Sequence, residues 1–94
     1  MRFLWDPDKD RANQAKHGVA FADAALIFDN PAACLDLFDD AHSDLEERFL
    51  TLGPARSGIL AVVWTERDKD AVRIISARLA TRREHALYRQ HLGR

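Results

Sequence analysis

A single cysteine in 94 residues, Cys34, excludes an internal disulfide, and no partners stand near it at the spacing of a structural zinc site. Apolar runs are short: none approaches the ~18 residues that a membrane-spanning helix needs. No membrane association is expected. The opening MRFLWDPDKD has no apolar segment followed by a small-residue cleavage site, so the reducing cytoplasm is the expected compartment. Glycine-rich phosphate loops, GxGxxG and the strand–turn–helix nucleophile elbow are all missing. Nucleotide hydrolysis, dinucleotide binding and α/β-hydrolase chemistry therefore lack their signatures, and no cofactor is expected in so small a core. The four histidines, His17, His42, His85 and His91, form no HExxH pattern, and the last two stand off a common helical face. The one metal option is His42 with Asp39, Asp40 and Asp44, loop carboxylates without ligand spacing. No metal is expected.

The length suits one domain spanning 1–94, and an apolar fraction of 47% suits one modest core. Net charge is −1, but its distribution is uneven. Residues 1–70 hold 8 Lys or Arg against 14 Asp or Glu, and residues 71–94 hold 6 against 1, Glu84. From Asp29 to Glu47 there are seven acids and no base. The chain is a dipole in sequence, and the asymmetry points to an anionic partner for its last quarter.

Element signals follow in order. Phe3–Trp5 reads as a first strand. A helix follows from Pro7 to His17, with Asp6 as cap, acids in its first turn, Lys16 and His17 in its last, and Gly18 as stop. Ala12 and Ala15 offer it a thin apolar face. Phe21, Ala24, Ala25 and Phe28 predict a second helix ending at Asn30-Pro31. A loose strand at 33–40 and an acidic loop come next. The runs at 48–53, 59–66 and 71–78 read as strands whose short connections suit an antiparallel meander. A last helix begins at Thr81, where Thr81 and Glu84 make a capping box. The fold class is α+β: a small antiparallel sheet with two N-terminal helices and a C-terminal helix packed on it.

Within RIISARLATRREH the charges accumulate. Alternation predicts Val72, Ile74 and Ser76 on one sheet face and Arg73, Ile75 and Ala77 on the other. Arg78 stands near the strand end. Arg82 and Arg83 sit in the first turn of a helix, where their charge opposes the dipole unless an anion is received there. Phosphate is the commonest such anion; neutralisation by Glu84 and the acidic middle segment, or a merely soluble face, is the plainer alternative. Trp64, among Ile59–Val63, suits the core, with base stacking as the sharper option. Glu66 and Arg67 suit an exposed turn. Lys16 beside His17 places a cation next to an imidazole, an arrangement that serves phosphoryl chemistry, although C-capping explains His17 equally.

WDPDKDRANQAKHGVAFADAALIF, then ERFLTLG and AVVWTERDKDAVRIISARLATRREHALY, resembles the BrnT family of type II toxin–antitoxin toxins. The likeness spans Trp5 to Tyr88, and RIISAR with Ala80, Thr81, Glu84 and Tyr88 is its most diagnostic part. It implies a RelE-like fold and a metal-independent endoribonuclease that arrests growth by blocking translation. It further implies a BrnA-like DNA-binding antitoxin as partner, with operator DNA engaged only through the toxin–antitoxin complex. On that reading the ribose 2′-hydroxyl attacks the adjacent phosphate. Arg67, Arg73 and Arg78 would stabilise the charge that develops, with Arg82 and Arg83 as backbone contacts. Glu66, or His17 paired with Lys16, would be the base, and Lys16 or Tyr88 the proton donor. A non-catalytic RNA- or partner-binding module using the same basic edge is the alternative.

Overall fold

The computed structural model describes residues 1–38 and 47–92. The acidic loop with His42, Asp39, Asp40 and Asp44 lies outside the described residues. The elements are β1 (Arg2–Leu4), α1 (Pro7–His17), α2 (Phe21–Ala25), β2 (Leu35–Phe38), β3 (Phe49–Ala55), β4 (Gly58–Asp68), β5 (Ala71–Leu79) and α3 (Arg82–Leu92). Five strands form one sheet in the order β1-β5-β4-β3-β2. β2 to β5 make the expected antiparallel meander. β1 joins the far edge parallel to β5, across a long connection that carries both N-terminal helices. The α+β class and the helix–sheet layering are as the residue pattern implied. Among the described residues no helix is long and apolar enough to cross a membrane.

The caps of α1 form as their chemistry demands. The Asp6 carboxylate accepts from the Asp8 N–H at 2.8 Å, Pro7 takes the first helical position, and Gly18 closes the helix at φ 71°. The buried face of α1 differs from expectation, because Ala12 and Ala15 are exposed. Its inward residues are Asp10, Asn13 and His17, at three- and four-residue spacing. Asn13 is buried and clamps β5: its amide donates to Ala77 O at 2.7 Å and to Val19 O at 2.9 Å, and accepts from Ala77 N at 3.1 Å. Asp10 accepts from the first N–H of α2, that of Phe21, at 2.9 Å. The expected second helix is shorter than its apolar stripe. It is α-helical only to Ala25 and tightens into a 3₁₀ turn over Leu26–Asp29 before Asn30-Pro31 breaks it.

Two cores lie on the two sides of the sheet. Under α1 and α2, Phe21, Ala24, Ile27, Leu60, Val62, Ile74 and Ala77 pack together, extended by Phe3, Trp5, Phe28 and Trp64. On the other side Tyr88 of α3 packs on Leu52 and Ala61. In β5 the register slips between Val63↔Ser76 and Trp64↔Ile74, leaving Ile75 as the extra residue. That bulge moves Ala77 to the face of Ile74, against the simple alternation, and returns Ser76 and Arg78 to the face of Arg73.

Gly53 marks a close approach. A Cβ built there would meet Cys34 Sγ at 2.9 Å and Ile27 Cβ at 3.1 Å. Ile27 is a buried core residue and Cys34 is held by its hydrogen bond to Ile27 O at 3.2 Å, so neither yields easily. Gly53→Ala is expected to destabilise by about 1–3 kcal/mol through overpacking. A urea-unfolding midpoint equal to that of the parent would contradict this.

Candidate functional site

On the α3 side of the sheet, Leu37, Leu50, Val63 and Ser76 stand opposite one another across β2, β3, β4 and β5. α3 covers only part of this face. Tyr88 anchors it: the ring is buried, and the hydroxyl donates to Ala33 O at 2.7 Å. Beyond that anchor, among the described residues, lies a groove of about 540 Å³. Its floor is the apolar row with Ile75, and its charged walls are Arg48, Arg78 and Glu84. Arg73, half-buried, lies on the same face, opposite Thr65.

Arg78 is the best-defined cation of the groove. Its Nη1 donates to Glu84 Oε1 at 2.7 Å and its Nη2 to Oε2 at 3.0 Å, a bidentate pair. The carboxylate is fixed independently by the capping box. Glu84 Oε1 accepts from the Thr81 N–H at 2.9 Å, and Thr81 Oγ1 accepts from the Glu84 N–H at 3.1 Å. The Arg78 hydrogen bonds hold the Glu84 carboxyl below its ordinary range, and burial only partly opposes them. The same pair raises Arg78 further, so its charge is permanent. Strand end and helix start are thereby locked together at one side of the groove.

The other arginines of this segment diverge. At about 100° per residue, Arg82 lies about 160° round α3 from Glu84. It lines a separate shallow concavity with Thr81, His85 and Arg89, away from the groove. Arg83 is exposed on the remaining flank. Glu66 and Arg67 stand exposed at the far end of β4, where Arg67 is the extra residue between Glu66↔Val72 and Asp68↔Ala71. From Val72 to Arg78 along β5 is roughly 17–20 Å at the rise of an extended strand. Lys16 is exposed and His17 half-buried at the end of α1, one turn beyond the Asn13 clamp on Ala77. Gly18 and Val19, which follow, line a concavity with Ile27 and Leu60 on the first-core side. The sheet thus places Arg73 and Arg78 on the α3 side, with Arg73 beside the Glu66–Arg67 end of β4 and Arg78 at the groove, while Lys16 and His17 lie on the α1 side.

Trp64 is built into the aromatic core. It stacks on Phe49 at 4.7 Å, meets Phe28 edge-on at 5.9 Å, and donates from Nε1 to Thr51 Oγ1 at 2.8 Å. The Tyr88 phenol is raised by burial, with the nearby Cys34 adding to it. Cys34 is raised by burial and by Asp36, which leaves it a poor thiolate former. Among the described residues no group of three or more His, Cys, Asp or Glu is arranged to hold a metal ion.

Arg48 is a groove residue that lies outside the arginine run. Alternation from Leu50 and Leu52 back to Arg48 places it on the groove face. Glu84 was legible both as a cap and as a counter-charge to the arginines, and the structure selects Arg78 as its partner.

Comparisons with known proteins bear on this geometry. Residues 5–84 match the family described as "Ribonuclease toxin, BrnT, of type II toxin-antitoxin system". Among solved structures the chain is similar to the 1.1 Å crystal structure of the Brucella abortus ribonuclease toxin, BrnT. The two share 30% identity, covering 87% of this chain and 99% of that one, with a TM-score of 0.69. No curated protein sequence matches the chain significantly.

Proposed function

Because the chain belongs to the BrnT family of type II toxin–antitoxin toxins, we propose that it is a metal-independent endoribonuclease whose substrate lies in the α3-side groove. The observation that carries this reading is the Arg78 guanidinium, permanently charged and fixed by Glu84 at the wall of a groove that also holds Arg48. Attack of a ribose 2′-oxygen on the adjacent phosphorus breaks the bond to the 5′-oxygen. It leaves a 2′,3′-cyclic phosphate and a 5′-hydroxyl. The 2′-proton passes to a base and the departing oxygen takes one from an acid.

Negative charge grows on the non-bridging oxygens, which is where a fixed guanidinium contributes most. Arg78 takes that role, with Arg73 and Arg48 on the same face as supporting cations. Arg67, at the other end of the β4–β5 hairpin, meets a flanking phosphate. Arg82 and Arg83 contact backbone outside the groove. Glu66, and His17 with Lys16, remain the two alternatives for the base. They stand in different places on the sheet, so alanine variants of each separate them. The Tyr88 hydroxyl, engaged with Ala33 O, serves first as the anchor of α3.

The partner is a cognate antitoxin, a small DNA-binding protein of the BrnA kind, through which operator DNA is engaged. Its cleft-filling segment silences the toxin by occupying the basic groove.

Labelled RNA incubated with the purified chain in EDTA should be cut to products with 5′-hydroxyl ends, while DNA of the same sequence survives. RNA bound but uncut at every protein concentration would mean a binding module instead. Loss of cleavage on chelation would mean a metal enzyme.

A further inference from the structure

We infer that Glu84 is a positioning residue, which turns Arg78 so that the Nε–Nη2 edge of its guanidinium is the one offered to a substrate phosphate. The inference rests on the ribonuclease reading of the groove and adds the orientation in which the phosphate is held. A guanidinium has five N–H donors in one plane, and two pairs of them form parallel forks. The end fork, one hydrogen each from Nη1 and Nη2, is given to the two Glu84 oxygens. The inner Nη1 hydrogen faces Leu79 O at 3.4 Å. The side fork, from Nε and the second hydrogen of Nη2, is what remains for a ligand.

Glu84 is suited to hold that orientation because it cannot itself swing. Its Oε1 also accepts from the Thr81 backbone N–H, and its side chain is only 16% exposed against 32% for Arg78. A phosphate in the groove therefore meets an arginine with its rotation already spent. The carboxylate stays behind the guanidinium as counter-charge and does not compete for the same edge.

The test separates charge from capping. Glu84→Gln retains a carbonyl oxygen for Thr81 N but offers Arg78 one acceptor where there were two. It should lower kcat on RNA by about tenfold, with KM changed by less than about threefold. Thr81→Ala, which loses the cap hydroxyl and leaves the ion pair, should lower the melting temperature and keep kcat. Arg78→Lys, with charge but no fork, should fall at least as far as Glu84→Gln.

A second measurement uses a 2′-O-methyl RNA oligonucleotide, which binds without being cut. In ¹H–¹⁵N spectra its addition should move the Arg78 Nε–H resonance of the parent protein. RNA cleavage by the parent with that resonance unmoved overturns the positioning role and leaves the ribonuclease reading standing. A moved resonance without cleavage does the reverse. Glu84→Gln cleaving as fast as the parent, or faster, also overturns the inference; faster cleavage would make Glu84 a competitor for the phosphate-binding edge.

Discussion

Asn13→Ala is expected to lower the unfolding free energy by about 3–5 kcal/mol, a large share of the 5–15 kcal/mol typical of a domain. The reason is the number of backbone groups that one amide satisfies. Ala77 N–H, Ala77 C=O and Val19 C=O all bond to Asn13, and the side chain is buried. β1 pairs with β5 only as far as Leu4↔Arg73, so on the edge away from β4 the strand has no neighbour left when it reaches Ala77. The Asn13 amide acts there as a substitute strand, with a donor and an acceptor at the right spacing. Each buried group left unsatisfied costs roughly 1–3 kcal/mol, and the three are not additive. Asn13→Asp should be no better, since a carboxylate would face two carbonyl oxygens without a donor. Urea unfolding followed by circular dichroism measures both variants. An unfolding free energy for Asn13→Ala within about 1 kcal/mol of the parent's would show that water takes over the clamp.

That clamp shows what kind of structure the residue pattern carries. Caps were legible, because their donors and acceptors lie within four residues. Asp6, Gly18 and the Thr81–Glu84 box all form as their local chemistry requires. The meander was legible too, from short turns between β-branched runs. Asn13 was not, because its partner Ala77 is 64 positions away and its helix has no apolar stripe to betray the inward face. The face of Ala77 was hidden for a related reason. Strict alternation assumes an unbroken ladder, and the bulge at Ile75 breaks it.

The candidate site divides along the same line. The cluster of positive charge after residue 70 was evident, and so was its affinity for an anion. Its partition was not. Arg78 leaves a strand and Arg82 enters a helix, so neighbours four residues apart in sequence end on different surfaces. Glu84 could be read from the sequence as a cap and as a counter-charge for the arginines. That Arg78 is the arginine it holds required β5 to run beneath the first turn of α3.

Arg78→Ala is expected to lower kcat/KM for RNA by about 10²-fold or more, the order seen when one fixed donor to a developing oxyanion is removed. Two effects must be kept apart in reading that loss. The first is the missing cation. The second is Glu84, a largely buried carboxylate that would lose both hydrogen bonds from Arg78 and keep only the Thr81 N–H. Glu84 in the folded parent titrates below its ordinary value because of Arg78. Its contribution to stability is therefore present above the unfolded carboxyl pKa and is lost as pH falls through the depressed folded value. The parent and Arg78→Ala should differ most in stability at neutral pH and converge on acidification. Partial exposure of the pair keeps that difference modest. The double variant Arg78→Ala with Glu84→Gln removes the stranded charge and should recover stability without recovering cleavage. If the double variant, folded as well as the parent, cleaved RNA at the parental rate, the groove would not be where the phosphate reacts. If stability and cleavage recovered in proportion, the loss in Arg78→Ala would be a folding defect. Stability restored with cleavage still absent assigns the lost rate to the guanidinium.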